Sequence, residues 1–382
     1  MRAGSCTGGA LGAAVLILGA LALLPGCESR ERARVRQADA LMHAYQGDVP
    51  GAAVLVLQDG RAVLQRGYGM AELESHTPAG ARTNFRLASM TKQFTAAAIL
   101  LLVQEGRLSL NDGVQKWLPG LPPATGAITI RELLTHTSGL IDYEDLISPG
   151  TTAQLHDADV LHLLSQENRT YFTPGSAYRY SDSGYALLAL IVERVSGGDF
   201  ATFLRQRIFL PLGMRNTVAY QRGITSVAER AYGYSYIGHA WVRTDQSLTS
   251  AVLGDGGVYS SVADLAKWDA ALYTPQLLSA ESLRLAFTPA VQTDDAHVHY
   301  GFGWRVTGDT VWHSGETLGF RNVIVRWPQR HFTVIILTNR DDPEPYTLAL
   351  AIASLFFPDA GTVRASQVVV GPDSGARPLP KP

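Results

Sequence analysis

The apolar positions follow two different periods along the chain, one typical of strands near both ends and one typical of helices between them. Residues 51–58 are a run of small and β-branched apolar residues, and residues 61–67 form a second run. The pair Asp59-Gly60 separates the two runs. Two strand-like runs around an Asp-Gly pair predict a β-hairpin.

The C-terminal part of the chain has a second hairpin pattern. Its apolar runs cover residues 322–327 and 331–338, and Pro328 interrupts them. Their apolar density indicates a sheet that is packed on both faces. Further strands are predicted at residues 301–306 and 310–313.

Between these strands the apolar residues recur every three or four positions, which is the period of an amphipathic helix. Helices are predicted over residues 89–105, 184–196, 200–209, 262–273 and 344–357. Strands at both ends with helices between them predict an α/β (α+β) fold. One antiparallel sheet, built from both chain ends, would be flanked by helices, with a mostly helical region inserted at about residues 105–250.

The N-terminal segment has the composition of a targeting signal. Arg2 is the only charged residue ahead of the apolar run at residues 10–24. The run is followed by Pro25-Gly26-Cys27, which resembles the end of the bacterial lipoprotein signal. That resemblance implies cleavage of residues 1–26, lipidation of Cys27, and an exported bacterial lipoprotein anchored to a membrane on its periplasmic side or at the cell surface. An ordinary secretory signal or an uncleaved N-terminal anchor remains the alternative.

The rest of the chain divides into a tether, one large domain and a tail. Residues 27–37 are rich in charge and predict a tether, whereas residues 38–360 are long enough for one large core. Residues 361–382 are rich in glycine and proline and predict a disordered tail.

Composition excludes several classes of function. Lipidation of Cys27 and removal of Cys6 would leave no free thiol and no disulfide, which excludes cysteine catalysis. The 32 Lys and Arg residues against 34 Asp and Glu residues give no support for nucleic-acid binding. The sequence has no G-x-S-x-G elbow, no Gly-rich phosphate loop and no metal-binding histidine pattern, so we expect neither a metal nor another cofactor. The acidic segment 142–145 lacks calcium-loop spacing and predicts a solvated loop.

Lysine is scarce in this chain, and one lysine follows a serine at helical spacing. The chain has four lysines among its 32 basic residues, and Lys92 lies three positions after Ser89. On a helix such residues share one face, so the serine hydroxyl and the lysine amine can touch. Arginine stays charged, whereas burial can lower the pKa of a lysine from about 10.4 toward neutrality. The pair is a candidate nucleophile and base, although a serine cap with a solvated lysine also explains it in isolation.

Further segments follow this Ser-x-x-Lys tetrad in a characteristic order. They are LLTHTSGL at residues 133–140, YSD at 180–182, LGDGGVYSSVAD at 253–264, YGFGW at 300–304 and HSG at 313–315. In order and spacing, from about residue 40 to residue 357, they resemble the family of class C β-lactamases, D-alanyl-D-alanine carboxypeptidases and related serine esterases. The resemblance implies a β-lactamase/transpeptidase-like serine hydrolase that forms a covalent acyl-enzyme with an ester, an amide or a peptide.

The resemblance also implies roles for individual residues. Ser89 would be the acylated nucleophile, and Lys92 and Tyr180 would share the work of general base and proton relay. The backbone N–H groups of Ser89 and Glu316 would form the oxyanion hole. His136 is better explained as a structural residue that hydrogen-bonds a loop backbone. In isolation, Tyr180 is explained as an aromatic residue that packs on the core at a helix start.

Two positions depart from the family pattern. In the third motif Gly315 is kept, but His313 replaces the family's lysine as donor to a substrate carboxylate or carbonyl; a strand histidine with a satisfied hydrogen bond is the alternative. Asp182 stands where the family usually has asparagine, and a carboxylate only accepts hydrogen bonds. An anion beside Lys92 favours the charged amine, and histidine removes a permanent positive charge near neutral pH. Both departures predict weak β-lactamase activity and fit an esterase, an amidase or a peptidase.

A second class of function stays open. A non-catalytic relative would use the same cleft to bind cell-wall peptides or a partner protein, and Asp182 is the residue that favours it. Ser89, Lys92 and Tyr180 together favour catalysis, because a pure scaffold has no physical need of all three. The expected partners are a small-molecule or peptide substrate and, through the lipid anchor, a membrane, but no nucleic acid.

Overall fold

The structure is a computed structural model that describes residues 25–357. Most of the predicted signal peptide, up to residue 24, and the predicted tail at residues 361–382 lie outside the described residues. The side chains of residues 25–29, and with them the thiol of Cys27, lie outside them too. Within the described part, no helix is both long and apolar enough to cross a membrane.

The longer strands lie near the two ends of the chain, and most helices lie between them. The helices are α1 Pro25–Leu41, α2 Lys92–Gln104, α3 Val114–Trp117, α4 Ile130–Leu134, α5 Asp157–Ser165, α6 Asp182–Ser196, α7 Phe200–Leu204, α8 Leu253–Gly256, α9 Val262–Ala271, α10 Ala280–Phe287 and α11 Pro345–Phe356. The strands are β1 Ala52–Gln58, β2 Arg61–Tyr68, β3 Met70–Glu72, β4 Thr77–Pro78, β5 Phe85–Arg86, β6 Val218–Ala219, β7 Tyr234–Ile237, β8 Ala240–Arg243, β9 Val258–Ser260, β10 Val291–Gln292, β11 His299–Tyr300, β12 Arg305–Thr307, β13 Thr310–Thr317, β14 Phe320–Trp327 and β15 Phe332–Thr338.

Both chain ends contribute to one antiparallel sheet of eight strands. Its order is β10-β11-β12-β13-β14-β15-β1-β2. The first strand pairs with the last, from Ala52 opposite Thr338 to Gln58 opposite Phe332. The predicted α/β (α+β) architecture, with a sheet built from both chain ends and flanked by helices, is therefore confirmed.

The two predicted hairpins are present and turn in different ways. Asp59 and Gly60 have φ angles of 51° and 73°. Positive φ at both central residues is what a type I′ turn requires, and such a turn matches the twist of the flanking strands. The C-terminal hairpin instead turns through the 3-10 helix Pro328–Arg330, after which His331 has a φ of 45°.

The sheet is covered on both faces, as its apolar density predicted. Ala53, Leu55 and Leu57 of β1 belong to the large apolar cluster of the helical region. Val54 and Val56 belong to a second cluster, which includes residues of α11. Successive residues of a strand face opposite sides of a sheet, so each side of β1 packs against a different layer of helices.

One predicted helix is divided in the structure, and one predicted strand is shorter than expected. The helix predicted over residues 200–209 is α7 followed by the π-helix Arg205–Phe209. The strand predicted at residues 301–306 begins only at Arg305, the start of β12, because residues 301–304 form a turn after β11 in which Gly303 has a φ of 74°. A Cβ on Gly303 would lie only 2.6 Å from the Lys92 carbonyl oxygen, so this turn packs on the start of α2.

Residues 27–37, which were predicted to form a tether, lie within α1. Val35 and Leu41 pack against the apolar cluster of α11, and Ala38 is fully buried. These residues are three positions apart, which places them on one face of a helix. The many charged residues between them concealed this face in the sequence.

Candidate active site

Ser89 lies where a short strand, a strained residue and a 3-10 helix follow one another. The Leu87 N–H donates to the Val258 carbonyl of β9 at 2.8 Å, which anchors the segment. Ala88 then has a φ of 50°, a conformation that L residues rarely adopt and that is concentrated at functional sites. The 3-10 helix Ala88–Thr91 leads directly into α2 and packs against β13. Ser89, which is 9 % exposed, is therefore held between a helix N-terminus and a sheet edge.

Lys92 is fully buried one turn after Ser89. Its Nζ donates to the Ser89 Oγ at 3.0 Å, to the Asp182 Oδ1 at 2.5 Å and to the Asp255 carbonyl oxygen at 3.1 Å. An ammonium group has three N–H donors, and each of these contacts takes one. The structure thus brings the serine hydroxyl and the lysine amine together, and it adds Asp182 as the accompanying anion.

Asp182 is the first residue of α6. The positive end of this helix and the Lys92 ammonium both stabilise its negative charge. Its side chain is 20 % exposed, so the ion pair lies at the boundary between the core and solvent. A carboxylate at this distance favours the charged form of the lysine. Lys92 must therefore pass on a proton before it can act as a base.

Three further carboxyl groups surround this ion pair. Burial raises the pKa of Asp142 to about 6, that of Glu144 to about 8 and that of Asp255 well above its usual range. In each case the negative charge of Asp182 is the next influence in the same direction. Asp255 also accepts a hydrogen bond from the Tyr143 hydroxyl at 2.9 Å. With a pKa of about 8, Glu144 therefore retains its proton near neutral pH.

The prediction of a solvated loop at residues 142–145 is wrong for the part that lies beside the site. Tyr143 is fully buried. The Asp142 carboxylate accepts the backbone N–H of Glu144 and that of Asp182, both at 3.0 Å, so it caps a 3-10 helix and α6 together. Acidic composition suggested solvent, but Asp142 comes only two residues after the HTSGL segment. Its position so close to a motif of the site was the sequence feature that could have placed Asp142 there.

Tyr180 lies against Lys92 and His136, two residues ahead of α6. The Lys92 Nζ is 5.0 Å from the centroid of the Tyr180 ring, and the ring centroids of His136 and Tyr180 are 4.3 Å apart. The Ser181 N–H donates to the His136 Nδ1 at 3.3 Å, which confirms that His136 holds a loop backbone. Burial, and next the charge of Lys92, lower the pKa of His136 well below its usual range. A neutral histidine thus supports the segment that carries Tyr180 and Asp182.

The third motif closes the other side of Ser89. β12 pairs only with the first part of β13, so the edge at residues 313–317 faces the 3-10 helix of Ser89. A Cβ on Gly315 would lie 2.0 Å from the Leu87 carbonyl oxygen, which explains why this position needs glycine. Glu316 follows Gly315 on β13, the strand that packs against the 3-10 helix of Ser89. The role of the Glu316 N–H in that hole stays a prediction.

The structure gives little support to His313 as a donor to the substrate. Its ring is fully buried. Its Nδ1 donates to the Ser314 carbonyl at 2.5 Å, so its Nε2 accepts from the Tyr300 hydroxyl at 2.9 Å. Burial, and next the charge of Arg305, lower the pKa of His313 well below its usual range. Both ring nitrogens therefore have hydrogen-bond partners inside the protein, as the alternative of a structural strand histidine expects. The role of His313 as a donor to substrate stays a prediction.

Comparison with known proteins assigns the family. The sequence model of the β-lactamase family matches residues 32–355. The chain belongs to the β-lactamase family. Penicillin-binding protein 4* of Bacillus subtilis (strain 168) is 34 % identical to it over 331 residues, which are 82 % of this chain and 72 % of that protein.

Solved structures of other proteins share the fold of this β-lactamase family member. The penicillin binding protein from Bacillus halodurans matches with a TM-score of 0.74 and 28 % identity, over 84 % of this chain and 99 % of that chain. D-amino acid amidase from Ochrobactrum anthropi SV3 matches with a TM-score of 0.70 and 22 % identity, over 85 % of this chain and 99 % of that chain. The predicted β-lactamase/transpeptidase-like fold is confirmed, and the family consists generally of serine hydrolases.

Proposed function

We propose that this β-lactamase family member is a serine hydrolase that acts through a covalent acyl-enzyme on an ester, an amide or a peptide. The hydrogen bond of 3.0 Å between the Lys92 Nζ and the Ser89 Oγ is the observation that carries the proposal. A buried ammonium is costly unless it is paired. Here the Lys92 amine contacts the hydroxyl of Ser89, and Ser89 lies at a helix N-terminus. A serine beside a buried amine is the arrangement of an activated nucleophile.

In the first step the Ser89 oxygen attacks the substrate carbonyl carbon, and its proton passes to Tyr180 or Lys92. Lys92 can accept this proton only after it has given one to the Asp182 carboxylate, because the ion pair favours the charged amine. The oxyanion of the tetrahedral intermediate would accept the N–H groups of Ser89 and Glu316. The base then returns its proton to the leaving group, and water releases the acyl group by the same steps.

The surroundings of Ser89 favour esters and amides over penicillins. In its ion pair with Lys92 the Asp182 carboxylate is ionised, so it accepts hydrogen bonds and cannot donate one to a substrate carbonyl. His313 is neutral and buried, so it brings no positive charge to a substrate carboxylate. The carboxylate of Asp182 would also repel that of a penicillin. We therefore assign the chain to the esterase, amidase or peptidase side of the family.

Intact-mass spectrometry of the chain without its signal segment tests the proposal. The protein is incubated with a fluorophosphonate and, separately, with a penicillin. We expect one fluorophosphonate adduct that disappears in Ser89→Ala, with little or no penicillin adduct. Ser109→Ala, which changes an exposed serine after the C-terminal end of α2, serves as the matched control and should keep the adduct. An adduct that persists in Ser89→Ala would remove Ser89 as the nucleophile.

A non-catalytic binding protein is the second candidate. The observation that favours it is the Lys92–Asp182 ion pair at 2.5 Å, which holds the lysine in the form that is not a base. In this case neither reagent forms an adduct, yet the folded protein binds a cell-wall peptide. Isothermal titration calorimetry with a muramyl peptide would measure that binding directly.

We also propose that Cys27 is lipidated, on the basis of the Leu24-Pro-Gly-Cys27 segment. Because α1 begins at Pro25 and packs on α11, lipidation would place the catalytic domain directly at the membrane surface. Incorporation of a labelled fatty acid into the full chain expressed in a bacterium tests this. Cys27→Ala should abolish the label and release the protein from the membrane fraction, whereas Cys6→Ala should not.

A further inference from the structure

Arg305 is the first residue of β12, beside the third motif. Its guanidinium Cζ lies 5.5 Å from the centroid of the Tyr180 ring and 5.5 Å from that of Trp312. Trp312 is its partner across the sheet on β13. The register of these two strands therefore determines where the guanidinium lies, and it brings a permanent positive charge to the Tyr180 ring.

The groups that face Tyr180 come from five parts of the fold. They are Lys92 of α2, His136 after α4, Tyr300 of β11, Arg305 of β12 and His313 of β13. Asp182 acts there through its ion pair with Lys92. Burial, with a contribution from Arg305, lowers the pKa of both histidines well below their usual range, so both are neutral. Lys92 and Arg305 favour a phenolate at Tyr180, and Asp182 opposes it.

We propose that Arg305 is a positioning residue for acyl transfer: its guanidinium holds the Tyr180 ring in place and favours the phenolate that accepts the Ser89 proton. It provides the permanent positive charge that the third motif lacks, because His313 is neutral. The kinetic part of this inference rests on the proposed function. The ionisation of Tyr180 can be followed in the folded protein without any turnover, so the two proposals can fail separately.

The test uses Arg305→Gln, which removes the charge, and Arg305→Lys, which keeps it. Arg305→Met keeps the apolar stem against Trp312 and replaces the glutamine variant if that variant does not fold. Arg131→Gln is the matched control, because its guanidinium also lies over an aromatic ring, that of Phe302 at 5.6 Å, outside the site. Circular dichroism verifies the fold of each variant.

Two measurements are made on each variant. The first is an NMR titration of the chain labelled with ¹³C at the tyrosine Cζ, in which Tyr180→Phe identifies the Tyr180 signal. The second is the pH profile of kcat/KM on a p-nitrophenyl ester. At this distance a unit charge is expected to shift the titration midpoint of Tyr180 by about one pH unit. In Arg305→Gln we expect the Tyr180 midpoint and the ascending limb of the kcat/KM profile to move upward together. In Arg305→Lys and in Arg131→Gln both quantities should stay near those of the natural protein.

An unchanged Tyr180 titration in a folded Arg305→Gln protein overturns the inference. So does a rise in KM that is confined to substrates with a carboxylate while the pH profile stays in place, because Arg305 would then bind substrate. If the titration shifts but the natural protein shows no Ser89-dependent hydrolysis, the inference about Tyr180 stands and the proposed function falls.

Discussion

The domain contains two buried ion pairs of similar length that differ in their surroundings. In the site, Lys92 and Asp182 are 2.5 Å apart. In the core, Arg326 of β14 and Asp269 of α9 are 2.6 Å apart. Both cations are fully buried, but Asp182 is 20 % exposed and Asp269 only 4 %. Comparing the two pairs therefore shows how the surroundings of a buried cation differ between a structural position and a candidate catalytic position.

Both cations lie beside aromatic rings, but only the pair in the site also has several buried carboxyl groups around it. The Arg326 Cζ lies 4.7, 5.5 and 5.9 Å from the rings of Tyr273, Phe287 and Trp304. Around Lys92 lie acids whose pKa is raised by burial. Arginine does not give up its proton, and lysine can. The core pair is thus a permanent link between α9 and the sheet, and the pair in the site can redistribute protons.

The largest effect is expected when the site pair loses its cation. Lys92→Ala should lower the rate of acylation by about a thousandfold or more, because a general base contributes about 10²–10⁴. The fold should survive, since the Asp182 left behind reaches solvent. Stopped-flow measurement of fluorophosphonate labelling gives the rate, with Lys116→Ala, an exposed lysine paired with Asp112, as the control. Unchanged labelling would remove Lys92 from the mechanism.

The next effect concerns stability and the core pair. Asp269→Asn keeps the side-chain shape but leaves the Arg326 charge buried without its anion, which should lower the free energy of unfolding by about 3–5 kcal/mol. Urea denaturation followed by circular dichroism measures this loss. Asp39→Asn breaks the exposed pair with Arg66 and should cost about 1 kcal/mol or less. Equal losses in the two variants would contradict a structural role for the core pair.

Asp182→Asn should distinguish the two pairs directly. Lys92 can respond by losing its proton, so we expect a stability cost well below that of Asp269→Asn. The new amide can also donate to a substrate carbonyl, and one hydrogen bond of about 1.4 kcal/mol corresponds to about tenfold in rate. The rate for nitrocefin relative to that for a p-nitrophenyl ester should rise by about this factor, and Asp159→Asn, at an exposed position of α5, should leave it unchanged. A constant ratio would show that Asp182 does not set this preference.

The sequence was sufficient where the structure depends on local signals or on ordered motifs. Asp59-Gly60 predicted its hairpin because positive φ at both positions is a local property. The spacing of Ser89 and Lys92 predicted their contact because both lie on one helical face. The resemblance gave the order of the remaining site segments and, through them, the fold.

The parts that the sequence did not predict depend on contacts between distant segments. Arg305 reaches Tyr180 only through the register of β12 against β13, which no short segment encodes. Asp142 and Glu144 were assigned to solvent by their composition, yet they pack beside the N-terminus of α6. His313 lies where the third motif was expected, but its burial against Tyr300 follows from the packing of β11.

The smallest expected effect concerns Glu144, the acid whose pKa is raised to about 8 by burial and next by the charge of Asp182. The folded protein binds this proton more tightly than the unfolded chain, so its stabilising contribution is complete below about pH 4 and is lost as the pH rises through 8. The natural protein should therefore lose about 1 kcal/mol more stability than Glu144→Gln between pH 6 and pH 9, a value kept small because the side chain is partly exposed to solvent. Urea denaturation at both pH values measures it, with the exposed pair member Glu167→Gln as the control. Parallel losses in the natural protein and in Glu144→Gln would mean that the pKa of Glu144 is the same in the folded and unfolded protein, and the contrast with the core pair would then rest on Asp142 and Asp255.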